Sequence, residues 1–159
     1  MRVYLASPLG FAASTTAFMR ELQAALAGDA VAVLNPWDAD YGADFAAAER
    51  IADRAERLAR LREINTAIAR ANERMIEESD TLVAVLDGVD VDSGTASEMG
   101  FAYARGKRVF GLRTDSRLTG DNEAAVVNLQ VRHWIDASGG SLHTRVADLI
   151  AAVRALAGA

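Results

Sequence analysis

Two carboxylates, Asp92 and Glu98, stand six residues apart in the stretch Asp92-Ser93-Gly94-Thr95-Ala96-Ser97-Glu98-Met99-Gly100. Paired carboxylates are the usual tools of glycosyl chemistry. Gly94 and Gly100 let a ligand come close to the backbone. A glycine inside a helix costs about 1 kcal/mol relative to alanine, so Gly100 implies close approach of something. A purely structural reading competes. Thr95-Ala96-Ser97-Glu98 spells a capping box, in which Glu98 would fold back onto the backbone N–H of Thr95. Asp92 would then be an ordinary turn residue.

The flanking sequence decides where these groups sit. Thr81–Leu86 is a continuous apolar run ending in Asp87-Gly88, and Thr95–Arg105 reads as a small-residue helix closed by Gly106-Lys107. The order is buried strand, acidic loop, helix start. In open α/β sheets ligands bind at that edge. Elsewhere the chain alternates in the same way. Arg2–Ala6 and Ala30–Leu34 read as strands, the second closed by Asn35-Pro36. Between them Ser14 can cap a helix reaching about Ala27, with Phe18, Leu22, Ala25 and Leu26 on one face. Trp37–Asp44 is a polar loop with aromatic residues. Phe45–Glu78 is a charge-laced helical stretch broken once, with Ile64, Ile68, Met75 and Ile76 inward. Arg108–Leu112 is a fourth strand, Arg113–Val126 a polar loop, Val131–Ile135 a short fifth strand, and His143–Leu156 a final amphipathic helix. Apolar runs without alternation imply strands covered on both faces. The βαβ order implies right-handed crossovers and a three-layer α/β/α domain around a parallel sheet. No repeat or linker divides the 159 residues, so one domain is expected.

Composition excludes several classes. The net charge is −5 and no basic patch stands out, which argues against nucleic acid or an anionic membrane as partner. No apolar run approaches membrane-spanning length. The opening apolar run is too short for a signal sequence, and Ser7-Pro8 interrupts it, so a cytoplasmic location is expected. There are no cysteines, hence no disulfide and no thiolate metal site. His133 and His143 are ten apart with no third ligand nearby, so no metal is expected. Gly94 and Gly100 lack the third glycine of a dinucleotide fingerprint, and Gly106-Lys107-Arg108 lacks the Ser/Thr and upstream glycine of a phosphate loop. Asp87 and Glu98 have the outer spacing of a calcium loop, but Val89, Val91 and Asp92 stand where oxygen ligands or glycine are needed.

The chain resembles the nucleoside 2-deoxyribosyltransferase family over most of its length. Val3-Tyr4-Leu5-Ala6-Ser7-Pro8-Leu9 is similar to that family's first strand and loop, and Asp80–Gly88 to its third strand. Asp92–Ala102 resembles its signature. Gly106-Lys107-Arg108-Val109, Thr114-Asp115-Ser116-Arg117 and Val127-Asn128-Leu129 also fit. The resemblance implies a flavodoxin-like, doubly wound, five-stranded parallel sheet. It implies an enzyme without a cofactor that acts on 2′-deoxynucleosides and free purine or pyrimidine bases. Glu98 would attack C1′ and form a covalent deoxyribosyl-enzyme, and a second base would resolve it with retention. The helix dipole favours ionised Glu98 near a helix start. Tyr4 would orient Glu98, and Asp92 would bind sugar hydroxyls or handle protons. Ser7, Pro8, Gly94, Asn72, Asn128 and Asp40 would bind substrate. Asn128 would reach the site of a neighbouring subunit, which implies a homo-oligomer, dimer-based or as large as a hexamer, with shared sites. Asn72 stands where some members carry a base-contacting aspartate, and an amide cannot be a general acid.

Each role has a plainer counterpart: Tyr4 as a half-buried strand aromatic, Asp92 as a cap, Asn128 as a turn residue, Asp40 as a solvated loop acid. Phe11, Trp37 and Tyr41 either stack on a base or pack their loops. Three roles are open to Arg117, pairing with Asp115, ordering its loop or binding ligand, and ordering is favoured. Three other functions fit the same frame. One is a 2′-deoxynucleoside 5′-monophosphate N-glycosidase, kept open by Ser7 and Ser93 but opposed by Asp92, which would repel a dianion. The others are a TIR-like NAD glycohydrolase and a non-catalytic nucleotide-binding module.

Overall fold

The computed structural model describes residues 1–158. Five parallel strands, β1 (Arg2–Ala6), β2 (Ala32–Leu34), β3 (Thr81–Val85), β4 (Arg108–Leu112) and β5 (Leu142–His143), form one sheet in the order β2-β1-β3-β4-β5. That is the flavodoxin-like doubly wound order. The chain leaves β1 towards β2 on one side and returns to β3 on the other, so the topological switch falls between β1 and β3.

Alternation along the strands sends side chains to two cores. Val3 and Leu5 of β1, Val83 and Val85 of β3, and Phe110 and Leu112 of β4 face α1 (Ala13–Leu26) and α6 (Val146–Ala157). Tyr4, Ala6, Leu82, Ala84, Leu86 and Val109 face α3 (Arg54–Glu78), α4 (Ser93–Ala104) and α5 (Leu129–Ala137). All five residues of β3 are buried, as a strand covered on both faces must be. A short helix, α2 (Gly42–Glu49), follows two 3-10 turns, Pro8–Gly10 and Pro36–Asp38. The single break expected in the Phe45–Glu78 stretch falls between α2 and α3, and Asp53 caps the first turn of α3 by accepting from the Glu56 N–H. Of the expected inner face of α3, Ile64 and Ile76 are buried. Among the described residues no helix is long and apolar enough to cross a membrane.

Three local expectations are corrected. Val131–Ile135 is not a strand but the middle of α5. Asn128 caps that helix, and Val131 and Ile135, four apart, are buried on one side of it. The fifth strand is Leu142–His143, the segment expected to start the last helix, which begins at Val146 instead. α1 starts at Ala13 behind Ala12, whose side chain has no group to cap with, so Ser14 is not the cap. Instead Thr15 and Thr16 return their hydroxyls to the Ala12 carbonyl.

Glycine has a clear steric role at the turn into β5. A Cβ on Gly140 would lie 1.8 Å from the Val109 carbonyl oxygen, whereas one on Gly28 would meet nothing within 4 Å. Gly140→Ala is therefore expected to lower stability by about 1–3 kcal/mol, since the obstacle is backbone that cannot swing away. Gly28→Ala should change it by less than about 0.5 kcal/mol. Urea unfolding of the two variants checks the contrast.

Candidate active site

Tyr4 sits in the interior of β1 with no exposed surface, pointed by the strand's alternation towards α3 and α4. A buried phenol needs a partner for its hydroxyl. It donates to Glu98 Oε1 at 2.7 Å, across 94 residues of sequence. Asn72 in α3 donates its amide nitrogen to the same oxygen at 3.2 Å. Three elements far apart in sequence thus converge on one carboxylate.

α4 begins earlier than the sequence implies, at Ser93, with Asp92 as its cap. Asp92 Oδ2 accepts from the backbone N–H of Thr95 at 2.8 Å and from its hydroxyl at 3.1 Å. Thr95 is therefore inside the first turn and is not a cap. Glu98 lies in the second turn and is bonded to Tyr4 and Asn72, so the capping-box reading fails. The structural role foreseen for Asp92 is fulfilled, and it takes only Oδ2. Gly100 is also accounted for by packing. A Cβ there would lie 2.9 Å from the Trp134 ring of α5, so the close neighbour is a helix and not a ligand.

Burial pushes the Glu98 carboxyl above the ordinary glutamate range. The hydrogen bond from Tyr4 pulls it back, the negative charge of Asp92 pushes it up, and the Asn72 bond lowers it. Burial, the charge of Glu98 and their shared hydrogen bond hold the Tyr4 hydroxyl protonated far above its usual range. Tyr4 is therefore a neutral phenol, and it donates to the Glu98 carboxylate when that group is ionised. Such a carboxylate is desolvated, oriented and next to a second acid. It can act as a nucleophile or as an electrostatic partner for a developing cation.

The other expected site residues are placed as follows. Ser7, directly after β1, is buried, and its hydroxyl accepts from the Leu9 N–H at 3.1 Å. Its carbonyl accepts from the Trp37 indole at 2.8 Å. Pro8 opens the 3-10 turn that follows. Trp37 lies so close to Gly10 that a Cβ on Gly10 would fall 2.0 Å from the ring. Phe11 meets Trp37 edge-on, with ring centroids 4.6 Å apart, and is itself 79% exposed. Trp37 thus buttresses the loop while Phe11 offers a free face. Gly94 lies in the first turn of α4, where a Cβ would meet Asp92 Oδ2 at 3.1 Å. Asp40 is exposed and turns its carboxylate to the Gly42 N–H at 2.8 Å, starting α2. Asn128 uses its side-chain oxygen on the N–H groups of Gln130 and Val131. Neither Asp40 nor Asn128 is hydrogen-bonded to the Tyr4–Glu98–Asn72 cluster within this chain. Among the described residues no group of three or more acidic, histidine or cysteine side chains could hold a metal.

Two residues beside the site escaped the sequence reading. Arg113, taken only as the start of a polar loop, is 1% exposed. Its guanidinium donates to the carbonyls of Leu86, Gly88 and Arg117. Asp87 answers across the same gap, accepting from the N–H groups of Thr114 and Asp115 and from the Thr114 hydroxyl. The loops after β3 and β4 are thereby stitched together. The available signal was an arginine directly following an apolar strand, opposite an aspartate that directly follows another. Of the roles open to Arg117 the structure shows the pair with Asp115, and the contact holds the Asp115 carboxyl well below its usual range.

A sequence model of the family described as nucleoside 2-deoxyribosyltransferase matches residues 3–130. No curated protein matches significantly. Among solved structures, a conserved protein from Enterococcus faecalis V583 is 27% identical with a TM-score of 0.71, over 98% of this chain and 98% of that one. A 2-deoxyribosyltransferase from the psychrotolerant Bacillus psychrosaccharolyticus is 19% identical with a TM-score of 0.59, over 94% and 90%. A CMP N-glycosidase from Clostridium botulinum is 18% identical with a TM-score of 0.56, over 95% and 96%. The last two likenesses bear on the fold alone.

The raised Glu98 carboxyl has a consequence for stability. Its proton is held more tightly in the folded than in the unfolded chain. Its contribution is therefore full below the ordinary glutamate range and is lost as pH rises through the raised one. Glu98→Gln keeps an acceptor for Tyr4 and Asn72 but cannot ionise. It should unfold at the wild-type temperature near about pH 4 and at a higher temperature near about pH 8. Thermal unfolding at the two pH values checks this; a lower melting temperature at the higher pH would contradict it.

Proposed function

Since the chain belongs to the nucleoside 2-deoxyribosyltransferase family, we propose that it moves a 2-deoxyribosyl group between nucleobases through a covalent intermediate on Glu98. The observation that carries this reading is the convergence of Tyr4 and Asn72 on Glu98 Oε1, beside Asp92, at the switch edge of the sheet.

The chemistry runs in two displacements. Glu98 attacks C1′ of a 2′-deoxynucleoside; the C1′–N bond breaks and its electron pair leaves with the base, which takes up a proton. A ring nitrogen of a second base then attacks C1′ and loses its proton, and the ester C–O bond returns its electrons to Glu98. Two inversions give net retention. The transition states are cation-like, and a carboxylate held in a desolvated setting stabilises them. A 2′-deoxy sugar lacks an electron-withdrawing hydroxyl and so forms its cation more readily. Asp92 retains Oδ1 without a protein partner among the described residues, and this oxygen is the one available for a sugar hydroxyl. The free face of Phe11, braced by Trp37, suits stacking on a base.

A second copy of the chain completes the site in this reading. Val89, Leu118 and Leu129 are exposed apolar side chains near the carboxyl edges of β3 and β4, and Asn128 would reach a neighbour's site from there.

Hydrolysis of a nucleoside monophosphate is the second reading, favoured by the CMP N-glycosidase among the similar structures. Water would replace the acceptor base. The charges near the edge speak against a phosphate: Asp87, Asp90 and Asp92 line the loop after β3, Arg113 is spent on carbonyls and Arg117 on Asp115.

The test is chromatography of the protein incubated with adenine plus either 2′-deoxyinosine or thymidine. The expected product is 2′-deoxyadenosine, with Glu98→Ala lower by at least about a thousandfold. Free base without a new nucleoside would replace transfer by hydrolysis. Inertness towards nucleosides with cleavage of 2′-deoxycytidine monophosphate would favour the second reading.

A further inference from the structure

Asn72 is expected from the sequence to contact a base, yet its amide nitrogen is directed at Glu98. Both donors to Glu98, the Tyr4 hydroxyl from β1 and the Asn72 amide from α3, choose Oε1. Among the described residues Oε2 has no protein donor. A glutamate on a helix surface has three side-chain torsions to fix, and one hydrogen bond leaves the carboxylate free to turn about it. Two donors from separate elements remove that freedom.

We propose that Asn72 is a positioning residue for the nucleophile, which together with Tyr4 pins Glu98 by Oε1 so that Oε2 is the oxygen that attacks. The proposal rests on Glu98 being the nucleophile. The residue type matters as much as the place. The ionisable groups that face Glu98 are Tyr4 from β1 and Asp92 at the start of α4; α3 contributes only the neutral amide, and β3, β4 and α5 contribute no charge that acts on it. Asp92 already opposes ionisation of Glu98. A carboxylate at position 72 would add a second like charge about as close as a hydrogen bond, and it could donate only when protonated. An amide donates at every pH.

The test uses Asn72→Asp and Asn72→Leu with two readouts. One is the carbon-13 resonance of the Glu98 carboxyl during a pH titration of the resting protein, assigned with Glu98→Gln. The other is the pH dependence of kcat/KM. In Asn72→Asp the Glu98 midpoint and the acid limb should both rise, by about one pH unit or more. In Asn72→Leu the midpoint should rise less and kcat fall by about tenfold, with KM for the bases little changed. Unmoved midpoints in both variants, with losses confined to KM, would overturn the proposal and make Asn72 a base contact. If Asn72→Asp does not fold, Asn72→Leu decides alone. A wild type without turnover would sink the proposed function and with it the attack through Oε2, while the carboxyl titration would still decide by itself whether Asn72 holds Glu98.

Discussion

The hydrogen bond between Tyr4 and Glu98 is the constraint around which the site is organised. A phenol with no exposed surface, set in an apolar cluster with Leu82, Met99 and Ile76, requires an acceptor. Strand alternation fixes the side of the sheet on which that acceptor must stand, because Val3 and Leu5 take the other side. Glu98 meets the need from α4, and in doing so gives up water. Each group makes the burial of the other tolerable, and the bond ties the first strand to the helix that follows the third.

That bond is only as well placed as the start of α4, and the loops govern that start. The chain passes from Leu86 to Asp92 in a few residues, among them Gly88, whose φ of 130° lies in the region open to glycine. A loop of this kind has little regular hydrogen bonding of its own. Arg113 supplies it from beneath by gathering the carbonyls of Leu86 and Gly88, and Asp87 supplies it from the side by gripping the chain after β4. Burying a guanidinium costs several kcal/mol, and three carbonyls return part of it, although Nε finds no acceptor. Asp92 then closes the helix end. The order of dependence runs from a buried arginine, through a loop and a cap, to a carboxylate held at one oxygen.

Much of this was legible in the sequence, and the exceptions share a cause. The apolar runs at Arg2–Ala6, Thr81–Leu86 and Arg108–Leu112 are long enough to declare buried strands, and all three are strands. The edge carrying Asp92 and Glu98 follows from that order alone. The fifth strand was misplaced because two paired residues, Leu142 and His143, carry no periodicity, whereas Val131 and Ile135 with Trp134 make a short apolar run that reads as a strand as easily as a helix. The start of α4 was misplaced because Asp92 and Thr95 are both good caps, and only the three-dimensional pull of Tyr4 on Glu98 separates them. The contact of Asn72 with Glu98 and the burial of Arg113 escaped the sequence for one reason. Their partners are 26 residues away or are backbone carbonyls, and neither kind of partner leaves a local pattern.

In the proposed function two opposed demands fall on the Glu98 carboxylate. A nucleophile has to be ionised at working pH, yet full solvation or too many donors would make it inert. Burial and Asp92 raise the cost of ionising Glu98, and Tyr4 and Asn72 lower it. Because both donors use Oε1, they stabilise the charge without covering Oε2. A third donor on the free oxygen would stabilise the anion further and block the line of attack at once. In the proposed reaction the asymmetry of the two oxygens would let a partly buried, oriented carboxylate remain reactive, and that asymmetry follows from where β1 and α3 bring their side chains rather than from anything in the Asp92–Gly100 stretch itself.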